Sequence, residues 1–179
     1  LDAFVDIIFE IQRHFPRVTA NLMISSTLNL VNALLLEDQT KGLKISACAD
    51  NYPAFSRTMS GASELYGLAI FPPDIPLGSF IQSLPSLMVF IVNVNDILSF
   101  YKEELNGESV NHISLLAFCR GCSKTHAFHS LIQETIEAHQ KIVRILESDK
   151  RALDSYRKFA SGYVYFHTSL DSRYRLNEL

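Results

Sequence analysis

Apolar side chains recur at helical spacing along almost the whole chain. In residues 1–15, Phe4, Ile7, Ile8 and Ile11 form one stripe, while Asp6, Glu10 and Arg13 lie off it. His14-Phe15-Pro16 ends this element, because proline disfavours helix in the residue before it. An apolar-rich run from Asn21 to Leu36 predicts a buried helix, closed by Gly42. Asp50-Asn51-Tyr52-Pro53 starts another, with Pro53 in its first turn. This helix spans 53–71, carries the small residues Ser60 to Ser63 at its middle, and stops at Pro72-Pro73. A long helix follows from Ser79 to Leu105, interrupted or kinked near Pro85 and stopped by Asn106-Gly107. A short helix over 111–120 and two longer ones over 124–147 and 149–167 complete the pattern, the last two separated by Glu147-Ser148-Asp149. No strand-like alternation bounded by hairpin turns and no internal repeat is visible. The expected fold class is all-α, one domain or part of one over 1–179.

Composition narrows the function classes. Hydrophobic residues are 47% and charged residues 20%, so the chain has globular and not disordered usage. The 16 Lys+Arg against 19 Asp+Glu leave a net charge of -3, which argues against nucleic acid as partner. An odd count of 3 cysteines suits a reducing compartment better than a disulfide framework. The start lacks the basic stretch and cleavage site of a targeting signal, and the apolar run from Leu87 stops at Val92, so a soluble cytoplasmic protein is expected. The chain opens at Leu1 directly into an amphipathic pattern, which fits a piece of a longer protein.

Candidate chemistry lies on the 79–105 helix. Asn95, Ser99 and Glu103 stand at i, i+4 and i+8. At about 3.6 residues per turn each step drifts only about 40°, so all three project from one face. An amide oxygen, a hydroxyl and a carboxylate make an all-oxygen set suited to a hard cation such as Mg²⁺, with substrate phosphate oxygens completing its shell. Lys102, beside the carboxylate, could meet the same phosphate as a point charge. The competing explanation is polar decoration of an ordinary helix. Against it, Leu87 to Val92 are apolar all round, which buries this helix and obliges its polar groups to find partners.

The stretch Asn95-Asp96-Ile97-Leu98-Ser99-Phe100-Tyr101-Lys102-Glu103 resembles the ND-x-x-S-x-x-x-E metal-binding motif of class I terpene cyclases, in particular the fungal trichodiene synthase type. Thr27-Leu28-Asn29-Leu30-Val31, the segment Tyr52 to Gly61, Gly162-Tyr163-Val164 and Arg173-Tyr174-Arg175-Leu176 resemble the same family in the same order. The resemblance implies the C-terminal half of a helical sesquiterpene cyclase that ionises farnesyl diphosphate with three Mg²⁺ ions, releases pyrophosphate and guides a carbocation through cyclisation. It implies that Asn95, Ser99 and Glu103 hold one Mg²⁺, and that Lys102, Arg173 and Tyr174 grip the diphosphate. Tyr163 and Arg57 are implied substrate contacts, and the family often forms dimers.

Three departures from the family pattern stand out. The aspartate-rich motif that binds the other metals is absent from these residues; Glu37-Asp38 is the nearest acidic pair, in an unlike context. Where the family has two adjacent arginines, this chain has Arg57 and then Thr58. The closing region carries one extra residue between Tyr163 and Arg173. The chain alone is therefore expected to be inactive.

Phe90, Tyr66, Tyr163 and Phe166 fall on helices that would surround a cavity, although any single aromatic at such a position is more often core. Ser60 to Ser63 resemble the family's helix break. Two rivals remain. One is a non-catalytic helical partner module on the same fold. The other is a zinc-dependent domain built on Cys119, Cys122, His126 and His129, whose ligands would be packed into 11 residues, tighter than zinc-finger spacing.

Overall fold

The computed structural model describes residues 2–46, 48–108 and 111–179, so Leu1 of the first predicted helix lies outside them. Those residues form helices α1 (Asp2–His14), α2 (Arg17–Gln39), α3 (Tyr52–Met59), α4 (Ala62–Ala69), α5 (Leu84–Leu105), α6 (His112–Arg120), α7 (Lys124–Leu146), α8 (Lys150–Ser169) and α9 (Asp171–Tyr174). Short 3-10 turns at Leu77–Ser79, Ile81–Ser83 and Leu176–Glu178 join or end them. No strand occurs among the described residues, and the all-α expectation holds.

Helix α5 is the axis of the fold, packed by α4, α6, α7, α8 and α9. Its Leu87, Phe90, Ile91 and Val94 meet Leu68 and Phe71 from the α4 side, Ile142 and Leu146 of α7, and Tyr156 of α8. A second, smaller core joins Ile113, Leu116 and Ala117 of α6 to Ala127 and Leu131 of α7. Side-chain caps set the starts of the last three long elements. Asn111, Ser123 and Asp149 accept backbone N–H bonds at the N-termini of α6, α7 and α8. Asp149 comes from the polar stretch that the sequence reads as a separator.

Three expectations change in detail. The helix predicted over 53–71 is two helices, broken at Ser60-Gly61 within the small-residue stretch that resembles a helix break, where Gly61 takes φ 65°. A Cβ at Gly61 would lie 2.0 Å from the Ser26 carbonyl oxygen, so the break lets α4 start against the backbone of α2. Pro85 does not kink α5; it occupies the first turn, where a missing N–H costs nothing, and the residues before it form 3-10 turns. Helix α2 is not buried as its apolar content suggests. Only Thr19, Ala20, Met23 and Ser26 are covered, on the stripe facing α1, α3 and α4, while Val18, Leu28, Val31, Leu34 and Leu35 are exposed.

The helical stretches Arg17–Gln39 and Ile81–Leu105 are each long and apolar enough, by length and composition, to cross a membrane, which a count of uninterrupted apolar residues does not reveal. In α5 the apolar surface is that of a core helix, since half of its most apolar stretch is buried and it carries Asn93, Asn95, Asp96 and Ser99.

The Gly61 contact makes a stability prediction. Gly61→Ala places a left-handed L-residue, which costs about 1–2 kcal/mol, against the immobile backbone of Ser26. Urea unfolding should report a loss of about 2 kcal/mol or more, and a variant as stable as the parent would refute this account of the break.

Candidate functional site

The face of α5 carrying the candidate motif opens on a cavity of about 610 Å³, walled opposite by Leu30, Leu34 and Glu37 of α2 and on one side by Arg57 and Met59 of α3. Its volume falls among small-molecule sites, about 300–1,000 Å³. Asn95, Asp96 and Glu103 all line it. The Ser99 hydroxyl donates to Glu103 Oε1 at 2.6 Å, so the alcohol and the acid converge one helical turn apart, as i, i+4 spacing requires. Lys102 Nζ lies 3.8 Å from the same oxygen. Amide, hydroxyl and carboxylate oxygens form a donor set without nitrogen or sulfur, which fits a hard divalent cation.

Asp96 faces α3. Arg57 Nε donates to its Oδ2 at 3.2 Å, and Arg57 Nη2 bonds its Oδ1 and approaches Asn95 Oδ1 at 3.5 Å. The Asp96 side chain is 7% exposed and that of Arg57 36%. Burial pushes the Asp96 carboxyl up to about 6 despite the guanidinium, with Glu103 adding to the rise. His112 Nε2 is 3.9 Å from Asp96 Oδ2, but burial, helped by Arg57 and Arg120, holds this imidazole down at about 4. It is therefore neutral near pH 7 and gives Asp96 no ion pair.

The closing segment reaches the motif indirectly. Tyr174 is buried and stacks near His167, their ring centroids 4.8 Å apart, and His167 Nε2 lies 3.2 Å from Asn95 Nδ2. Arg173 is exposed, its guanidinium carbon 5.5 Å from the Tyr174 ring centroid. Tyr163 packs between Phe159 and His167, and its hydroxyl donates to the Ile91 carbonyl at 3.2 Å, tying α8 to α5. Burial raises the pKa of that hydroxyl, so it stays protonated as a donor.

Of the residues singled out by sequence, Asn95, Glu103 and Arg57 share the cavity, and Ser99 joins them through Glu103. Lys102, Tyr163, Arg173 and Tyr174 do not line it. Neither do the other aromatics: Phe90 is core, at an edge-on 5.9 Å from Tyr156, and Tyr66 and Phe166 are exposed. Sequence reasoning missed His167 and the Arg57–Asp96 pair. Asp96 was visible inside the motif, but its partner lies 39 positions away on another helix. Glu37 lines the cavity, while Asp38 turns to Lys41. Cys119 and Cys122 are free, and among the described residues no group of three or more His, Cys, Asp or Glu is placed to hold a metal ion. The zinc-domain rival thus finds no assembled ligand set there.

Residues 3–179 match the family model described as trichodiene synthase (TRI5). The chain is 36% identical to alpha-cuprenene synthase COP6 of Coprinopsis cinerea, over 100% of the chain and 55% of that protein. It is 35% identical to terpene synthase BipA of Cochliobolus sativus, over 99% of the chain and 56% of that protein. Against trichodiene synthase of Gibberella zeae the identity is 27%, over 94% of the chain and 48% of that protein. The chain therefore spans about half the length of the curated relatives it matches.

The Arg57–Asp96 pair yields a prediction in metal-free buffer. Arg57→Met strands a buried carboxylate, which costs about 2–3 kcal/mol once water on the partly exposed guanidinium is allowed for. Arg57 lowers the Asp96 pKa, so without it the folded-state value rises further above the 3.8 of a free aspartate. The deficit should be full only above the variant's raised Asp96 pKa, in the alkaline range, and should fade as pH falls toward about 6, where Asp96 takes up a proton even beside Arg57. Urea unfolding at both ends of this range checks it; a deficit independent of pH would contradict it.

Proposed function

The chain belongs to the trichodiene synthase family, and from that premise we propose that the protein is a Mg²⁺-dependent sesquiterpene cyclase acting on farnesyl diphosphate, with this chain contributing the Asn95, Ser99 and Glu103 part of the site. Most support comes from the convergence of Ser99 and Glu103 at 2.6 Å on a central helix whose polar residues Asn95, Asp96 and Glu103 line a cavity. Asn95, Ser99 and Glu103 would hold one Mg²⁺. When bound, such an ion supplies Lewis-acid neutralisation of the departing diphosphate.

The remaining roles fall to the chain. Lys102 offers a point charge beside Glu103 to diphosphate oxygens. Arg173 is exposed, its planar fork fits two phosphate oxygens at once, and Tyr174 beside it adds a neutral donor. Arg57, bound to Asp96 at the cavity wall, presents its outer edge toward the same region. Leu30, Leu34 and Met59 supply apolar wall that keeps water from a carbocation. The exposed apolar side of α2 fits a surface covered by the remainder of a longer protein. A soluble cytoplasmic setting, and a dimer as is common in the family, belong to the same proposal.

Gas chromatography of hydrocarbon products after incubating the whole protein with farnesyl diphosphate and Mg²⁺ tests this function. A cyclic sesquiterpene is the expected product. Glu103→Gln removes the only anionic donor of the trio, so turnover at limiting Mg²⁺ should fall by about 100-fold or more and recover in part at high Mg²⁺. Unchanged turnover at limiting Mg²⁺ would rule the assignment out, and release of no hydrocarbon by the unsubstituted protein would favour the non-catalytic module.

A further inference from the structure

We propose that His167 is a positioning residue for Asn95: its imidazole holds the amide nitrogen and so turns the amide oxygen toward the cavity. This rests on the metal-binding reading of Asn95, Ser99 and Glu103. His167 is buried, 2% exposed, on α8. Its Nδ1 lies 2.7 Å from the Tyr163 carbonyl oxygen. A carbonyl only accepts, so Nδ1 carries the hydrogen, and in the neutral ring Nε2 is left as an acceptor. The Asn95 amide stands 3.2 Å from that nitrogen. Only its NH₂ group can face Nε2, because the opposite orientation would set two acceptors against each other.

The consequence reaches the cavity. With nitrogen committed to His167, Asn95 Oδ1 points to the Arg57 side, 3.5 Å from Nη2, where Asn95 lines the opening. An amide free of such a bond has two nearly isosteric orientations, and one of them presents NH₂ hydrogens to a cation. The ring itself has little freedom, since Tyr163, Tyr174 and Phe166 pack on it at centroid distances of 4.6, 4.8 and 5.3 Å. Tyr174 therefore acts on the motif through His167 as well as by any contact of its own hydroxyl.

Groups that orient a metal ligand typically govern affinity by about 10–100-fold. Mn²⁺ binding to the whole protein, followed by electron paramagnetic resonance with inorganic diphosphate present, measures this. His167→Phe keeps a ring between Tyr163 and Tyr174 but has no acceptor, whereas His167→Gln keeps an acceptor near the Nε2 position. The Phe variant should weaken one Mn²⁺ by about 10-fold or more, and the Gln variant should restore most of it. Equal losses in both variants would mean that His167 only fills space, and would overturn the proposal. Loss of that Mn²⁺ in Glu103→Gln but not in His167→Phe would overturn the positioning role alone, while no loss in Glu103→Gln would overturn the metal reading beneath it. Nitrogen-15 spectra of histidine-labelled, unsubstituted protein decide the matter should the Phe variant not fold. His167 must show a protonated Nδ1 and a bare Nε2, and a ring protonated at Nε2 overturns the proposal.

Discussion

Burying a polar side chain in the central helix of a fold is costly unless it meets a partner, and α5 buries Asn93, Asp96 and Ser99 with Asn95 half-buried beside them. Asp96 and Ser99 are paired, while the Asn93 amide nitrogen has no partner among the described residues. The most demanding of them is the Asp96 carboxylate, whose burial alone pushes its pKa well above the usual range. Arg57 answers it from α3. That reach depends on α3 ending where it does. The left-handed turn at Gly61 lets α4 begin directly against α2 and leaves α3 to present Arg57 to α5. The backbone break, the ion pair and the orientation of the motif are thus one linked arrangement.

The neighbouring polar groups follow the same rule with different partners. Ser99 turns inward along its own helix to Glu103, and Asn95 turns outward to α8. Of these residues, Asn95 and Glu103 line the cavity and Ser99 lies buried behind Glu103. The stabilising contacts of the core and the geometry of the proposed site therefore come from the same residues, and a change to one is felt by the other. The closing segment is coupled in through aromatic packing: Tyr174 rests on His167, which rests on Tyr163, whose hydroxyl holds the α5 backbone.

Across the cavity, α2 has an opposite character. Its covered stripe is small, while a broad apolar side stays exposed. The α2 residues that line the cavity with Asn95, Asp96 and Glu103 are mostly apolar as well: Leu30, Ala33, Leu34 and Leu36. The chain belongs to the trichodiene synthase family and spans about half the length of the curated relatives it matches.

Much of this was written in local patterns. Periodicity and stop signals placed most of the long helices because an amphipathic stripe, a proline or an Asn-Gly pair acts within a few residues of itself. The spacing of Asn95, Ser99 and Glu103 put them on one face for the same reason, since helical geometry alone sets that relation. What lay beyond reach were relations between distant residues. That Arg57 would bind Asp96, that His167 would meet Asn95, that Tyr163 would turn its hydroxyl to a backbone carbonyl and that α2 would stay half uncovered all depend on which helices become neighbours. Burial and hydrogen-bond partners are properties of packed pairs, and only the tertiary arrangement brings those pairs together.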